Sequence, residues 1–331
     1  MTGATMRAVV MTGTGGPEVL EEREAPLPEP GPGEVRVRVA SSGVNRADLL
    51  QRQGLYPAPR GYPPDIPGLE FAGEVEALGP RVFGVETGDR VMGLVGGGGY
   101  AERVVVHERE VVPVPQGIDL VRAGALPEAY LTAFDAVVAQ MDVQAGEVVL
   151  IHAVGSGVGT AALQLARWAG ARTLGTSRTQ EKLERASEMG LHIGLQGGDR
   201  DWVADVMEAT GGHGADLILD LVGGPYLEGN IRALAPRGRI ITVGITGGRK
   251  ATLDLRGLMA KRGSLTGTVL RARPLEEKAA LAQHFRRVAL PALAEGRLAP
   301  VVDATFPPAE ASEAHRRMES NLNFGKLLLV W

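Results

Sequence analysis

The feature that most constrains the fold of this chain is a single junction near its middle. Residues 147–153 (EVVLIHA) form a short, nearly continuous apolar run, the kind of strand buried on both faces of a parallel sheet. It leads into Val154-Gly155-Ser156-Gly157-Val158-Gly159 and then, from 158 to 170, into a helical pattern with Leu163, Ala166 and Trp168 among its apolar positions. Backbone N–H groups at such a helix start, together with the helix dipole, suit a pyrophosphate. The glycine spacing departs from G-x-G-x-x-G, because Val154 and Ser156 stand where two glycines are expected. The plainer alternative is a tight turn required only for helix–sheet packing.

The junction opens a repeat. Strands are expected at 172–176, 192–195, 216–222, 239–245 and 264–270, with helices at 179–189, 200–210 and 226–234 between them. That alternation is the pattern of a doubly wound parallel sheet, so the fold class is α/β. The first third reads differently. Val35 to Val39 alternates with period two, short apolar runs follow at 73–77, 90–94 and 103–107, and 57–67 is a proline-rich loop. After the repeat, 275–296 reads as one long helix and 326–330 as a strand without a βα partner, which returns to the β-rich first lobe.

The end of the second strand bears on which dinucleotide is bound. NAD enzymes usually place Asp or Glu there, about 20 residues after the glycine turn, to bond the ribose 2′-hydroxyl. Here the run is Ser177-Arg178-Thr179, with no acid until Glu181 and with Lys182 next. Arg178 and Lys182 lie about one helical turn apart and are expected to grip a 2′-phosphate, which favours NADP(H). The alternative is two solvated cations at a helix start.

Composition removes other classes. The 331 residues are 44% hydrophobic and 22% charged, which excludes wholesale disorder. Net charge is −4 without a basic stripe, so no nucleic-acid partner is expected. No run reaches the ~20 apolar residues of a membrane span, and the first ten residues lack a signal-peptide core, so the cytoplasm is the expected compartment. With no Cys, disulfides, thiolate nucleophiles and Cys-ligated zinc are out. The six histidines are scattered singly, each expected to be satisfied or on the surface rather than a ligand, so no metal site is expected. The 46 glycines cluster at 96–99, 155–159, 197–198, 211–214, 223–224 and 247–248, which hints at a phosphate-bearing cofactor.

Several longer motifs carry a resemblance: Gly43-Val44-Asn45-Arg46-Ala47-Asp48-Leu49, Gln53-Gly54-Leu55-Tyr56-Pro57, Pro67-Gly68-Leu69-Glu70-Phe71-Ala72-Gly73, Gly88-Asp89-Arg90-Val91, Leu131-Thr132-Ala133-Phe134 and Asn323-Phe324-Gly325-Lys326. With the glycine turn they make the chain, from about residue 6 to 331, resemble the medium-chain dehydrogenase/reductases. It is most similar to their zinc-independent quinone oxidoreductase branch, which includes zeta-crystallin. The resemblance implies a GroES-like catalytic domain from both chain ends (1–125 and 268–331), an inserted NADP-binding Rossmann domain (126–267), and an active site in the cleft between them. Zinc alcohol dehydrogenases of the superfamily carry Cys where this chain has Asn45 and His where it has Leu69.

Roles follow from the resemblance position by position. Asn45 and Thr132 match residues beside the nicotinamide; the alternatives are a turn residue before a helix and a mid-helix packing residue. Tyr56 matches an active-site tyrosine able to donate a hydrogen bond to a substrate carbonyl; the alternative is an aromatic plug in the proline loop. Gly155, Ser156, Gly157, Val158 and Gly159 line the pyrophosphate, and Ser177, Arg178 and Lys182 the 2′-phosphate. Gly244, Ile245, Leu270 and Arg271 match loops running along the cofactor, and Lys326 matches a position near it. Relatives often carry a tyrosine after the third strand to bind the adenosine phosphate, where this chain has Gln196-Gly197-Gly198. The expected activity is NADPH-dependent, metal-independent hydride transfer to a quinone or α,β-unsaturated carbonyl. An enoyl-thioester reductase and an NADPH-binding protein with little turnover remain as alternatives. A homodimer or dimer of dimers is implied, with 240–243 and 264–270 as candidate sheet-continuing edges.

Overall fold

A computed structural model describes residues 3–198 and 200–331. The chain forms two compact units, Met1–Leu131 with Leu270–Trp331 and, inserted between these stretches, Thr132–Val269. The strands of the first stretch are β1 (Thr5–Met11), β2 (Leu20–Pro26), β3 (Glu34–Val44), β4 (Glu70–Leu78), β5 (Arg90–Leu94), β6 (Arg103–His107) and β7 (Val111–Pro113). Its helices are α1 (Arg46–Arg52), α2 (Leu120–Ala123) and α3 (Pro127–Ala133). The inserted unit contributes β8 (Val148–Ile151), α4 (Gly157–Trp168), β9 (Arg172–Ser177), α5 (Gln180–Glu188), β10 (Ile193–Gln196), α6 (Trp202–Ala209) and β11 (Ala215–Asp220). It continues with α7 (Leu227–Ala233), β12 (Leu234–Thr242), α8 (Leu255–Lys261) and β13 (Ser264–Gly267). The return stretch holds α9 (Leu275–Val288), α10 (Leu290–Ala294), β14 (Val302–Phe306), α11 (Ala311–Glu319) and β15 (Lys326–Val330).

In the first unit β14-β15-β3-β4-β5-β7 form one sheet, with β6 also on β3, and β1–β2 form a separate antiparallel pair. The alternation read in β3 places Val35, Val37 and Val39 in the core. Arg36 and Arg38 point the other way and pair across the strand with Glu76 and Glu74. The last strand does return to this lobe: β15 runs antiparallel to β3, Leu328 opposite Gly43. The 275–296 helix is in fact two, because Pro291 near the start of α10 has no N–H to continue α9. The first boundary falls six residues after the expected 125, at Leu131, since Tyr130 Oη donates to Ala299 O (2.9 Å) and Glu128 N to Glu70 Oε2 (2.8 Å). The second falls at Leu270, two residues later than expected.

The inserted unit is a parallel sheet in the order β10-β9-β8-β11-β12-β13, the doubly wound arrangement with its switch point between β8 and β11. Leu150 lies opposite Leu174 on one side and Ile218 on the other, and Val149, Leu150 and Ile151 have no exposed surface. That burial on both faces is why 147–153 reads as an unbroken apolar run. β12 lies inside the sheet, so of the two candidate edges only β13 is one. No described helix is long and apolar enough to cross a membrane.

Candidate active site and cofactor site

In the inserted unit β8 ends in a turn in which Ala153 takes a left-handed conformation (φ 50°), and Ser156 caps α4 by accepting the Gly159 N–H at 3.0 Å. The remaining N–H groups of the first turn have no acceptor within the helix, which leaves donors for an anion. A Cβ on Gly159 would lie 2.5 Å from Ala153 O and 2.7 Å from Val154 O, so only glycine lets the helix start this close to the strand end. The cradle fits the pyrophosphate of a dinucleotide: Gly155, Ser156, Gly157, Val158 and Gly159 are brought together at the carboxyl end of β8.

Ser177 ends β9 and is buried, its Oγ accepting the Thr179 N–H at 3.3 Å. Arg178 is exposed and Lys182 half-buried, but the two are not on one helix face. Thr179 is the extended N-cap of α5, so Arg178 precedes the helix and only Lys182 lies in its first turn. Gly244 and Ile245 follow β12 at the same carboxyl end of the sheet, with Gly244 N donating to Asp220 O (3.3 Å) and Ile245 half exposed. Thr132 is buried near the end of α3.

A buried polar chain behind this edge had no local sequence signal. His152 Nδ1 meets Thr176 Oγ1 (3.0 Å) and its Nε2 meets Asn230 Oδ1 (2.7 Å). Asn230 Nδ2 donates to Asp220 Oδ2 (3.0 Å), and Asp220 Oδ1 accepts the N–H groups of Val222 and Gly223. The chain ties together the ends of β8, β9 and β11. Burial pushes His152 down to about 4, so the imidazole is neutral, and raises Asp220 above the usual carboxylate range.

In the first unit Asn45 is the N-cap of α1, and its carboxamide sits in a closed cluster. Asn45 Nδ2 donates to Glu70 Oε1 (2.8 Å) and Gly43 O (3.2 Å), while its Oδ1 accepts from Lys326 Nζ (2.5 Å). Lys326 Nζ also donates to Val44 O (3.1 Å) and pairs with Glu70 Oε1 (2.5 Å). All three ammonium protons are therefore committed, and Lys326 has none to offer a ligand; it orients Asn45 instead. With both Nδ2 protons donated, the Asn45 side chain can meet a ligand only as an acceptor through Oδ1.

Tyr56 is half-buried after α1, with no hydrogen bond on its hydroxyl among the described residues. Arg271 holds this residue. Its guanidinium lies 5.0 Å above the Tyr56 ring and donates to Tyr56 O (3.0 Å), Gly96 O (2.8 Å) and the Gln51 side chain. Burial raises the Tyr56 pKa, partly opposed by Arg271, so the phenol keeps its proton at neutral pH. Leu270 is buried in a recess with Leu69, Leu94 and Val95. A Cβ on Gly96 would strike the Tyr62 ring at 2.5 Å, so this backbone is the seat for the proline-rich loop, whose Tyr62 hydroxyl accepts from Lys278 Nζ at 3.2 Å.

A GroES-like β unit with an inserted doubly wound sheet carrying a dinucleotide cradle defines a two-domain dehydrogenase or reductase class. The comparisons agree: residues 31–116 match the alcohol dehydrogenase GroES-like domain, and 157–286 the zinc-binding dehydrogenase family. The quinone oxidoreductase of Pseudomonas aeruginosa is 33% identical over 317 residues, 96% of this chain and 97% of that protein. A crystal structure described as an NAD-dependent alcohol dehydrogenase superposes with TM-score 0.88 at 36% identity, covering 98% of this chain and all of that one. A mycobacterial protein solved with NADPH gives TM-score 0.88 at 29% identity, with 98% and 100% covered. The chain belongs to the medium-chain dehydrogenase/reductase superfamily, in its quinone oxidoreductase branch.

The zinc in one matching family's name does not fit the residues here. The Asn45–Glu70 pair already holds an ammonium, Leu69 is apolar, and among the described residues no three His, Cys, Asp or Glu side chains converge as a metal site.

Proposed function

We propose that the chain is an NADPH-dependent reductase of quinones or α,β-unsaturated carbonyls that works without a metal in the cytoplasm. The observation that carries this reading is the Asn45–Glu70–Lys326 cluster, a donor set that an internal cation saturates. Stabilising an alkoxide during alcohol oxidation usually calls for a Lewis acid. An already electrophilic acceptor needs less help, since the oxyanion formed is resonance-stabilised.

When bound, the reduced nicotinamide supplies the hydride. The protein's own residues bind and orient. The α4 start receives the pyrophosphate, Ser177, Arg178 and Lys182 favour a 2′-phosphate, and Asn45 Oδ1 accepts from a carboxamide. Tyr56, held by Arg271 over its ring, presents a protonated phenol as hydrogen-bond donor to the acceptor oxygen. Assembly into a homodimer would use the edge strand β13, next to which Leu255 and Met259 of α8 are exposed.

The test is the initial rate of NADPH and of NADH oxidation with an ortho-quinone. NADPH-selective turnover supports the reading. Equal rates at sub-saturating concentrations remove the phosphate preference, and no turnover with either nucleotide removes the quinone substrate in favour of an enoyl thioester or a binding role.

A further inference from the structure

Tyr226 follows β11, closing the turn Gly224–Tyr226, and its ring is fixed on two sides. It stacks on Trp202, with ring centroids 5.3 Å apart and planes 17° from parallel, and meets His152 edge-on at 4.7 Å. So held, the phenol oxygen reaches the loop after β10, where it accepts the Gly198 N–H at 3.2 Å. A phenol both accepts and donates. Its O–H proton has no acceptor among the described residues, and the side chain is only half-buried.

Gly197 makes room for this oxygen. A Cβ there would lie 2.8 Å from Tyr226 Oη, so a side chain at 197 and the phenol in this position exclude each other. Gly197 N in turn donates to Ser177 O at 2.8 Å, which joins the loop to the end of β9. From the turn after β11 an unspent phenol donor thus reaches the loop after β10, which is tied to the end of β9 at Ser177, beside Arg178 in the chain; this carboxyl edge of a doubly wound sheet is where ligands bind.

We propose that Tyr226 is a nucleotide-specificity residue whose hydroxyl donates to the phosphate on the adenosine ribose. It supplies from the turn after β11 a donor that the Gly197–Gly198 loop cannot. The inference rests on the NADPH reading above.

The experiment measures dissociation constants of NADPH and NADH, by titration calorimetry, for the wild-type protein, Tyr226→Phe and Gly197→Val. Phe keeps the ring stack and removes only the donor. Losing a hydrogen bond to a charged acceptor should weaken NADPH roughly tenfold, with NADH changed less than about twofold. Gly197→Val should displace the phenol and shift the NADPH/NADH ratio in the same direction. An unchanged NADPH constant in Tyr226→Phe, or equal weakening of both nucleotides, overturns the proposal while leaving the NADPH reading intact. A wild-type protein without preference for NADPH overturns both.

Discussion

Replacing Lys326 by Met tests whether the cluster at Asn45 is the preorganised ion pair described above. Glu70 has no exposed surface and the Lys326 side chain almost none, so their 2.5 Å contact is a buried pair. Met preserves volume and removes the charge, leaving the Glu70 carboxylate with only the Asn45 amide and the Glu128 N–H. Breaking a buried pair from one side costs ~3–5 kcal/mol, a large part of the ~5–15 kcal/mol that holds a typical native state. For a unit of this size that is a fall in melting temperature of roughly 6–20 °C. The double variant Lys326→Met with Glu70→Gln removes the stranded charge and should recover most of the loss, a coupling read by a double-mutant cycle in thermal or urea unfolding. A single variant within about 0.5 kcal/mol of wild type, or a double variant with the two losses simply added, would refute the reasoning.

Gly159→Ala should destabilise the inserted unit by ~1–3 kcal/mol, because the new Cβ meets Ala153 O and Val154 O, and calorimetry should show weaker binding of both dinucleotides. His152 is neutral in the folded unit, with its pKa pushed down to about 4 from an ordinary 6.5. Its contribution to stability is present above about pH 6.5 and is lost as pH falls towards 4. The difference in unfolding free energy between wild type and His152→Asn should therefore shrink by ~1.4 kcal/mol per pH unit in that window; a flat difference would place a charged imidazole in the fold. Arg271→Lys cannot reproduce the planar contacts to the Tyr56 ring, Tyr56 O, Gly96 O and Gln51. Misplacing the phenol should lower kcat about tenfold to a hundredfold, with the NADPH dissociation constant unchanged.

The parallel sheet was legible in the sequence because strands buried on both faces read as continuous apolar runs, and β8, β9 and β11 lie where those runs predict. β1 and β2 gave no such signal: their register pairs Arg7 with Glu24 and Val9 with Glu22, and charged residues interrupt the pattern. The start of β12, Leu234-Ala235-Pro236-Arg237-Gly238, contains a proline and a glycine that argue locally against a strand, and its pairing with β11 shifts register there. The glycine clusters read alike in sequence but act differently, since Gly159 admits a helix start and Gly96 an aromatic ring. The closed polar clusters could not be seen at all. Lys326 and Asn45 are 281 residues apart, and Tyr226 is 28 from the amide it accepts. Only folding brings such partners together, so the engagement of Lys326 with Val44 O, Asn45 and Glu70 cannot be read from its local motif.

The central claim is reduction without a metal, and it is tested most directly on protein dialysed against EDTA and shown by elemental analysis to hold no zinc. NADPH oxidation with an ortho-quinone should proceed at the same kcat before stripping, after stripping, and after adding zinc back. Activity that disappears with the metal and returns with zinc would contradict the account.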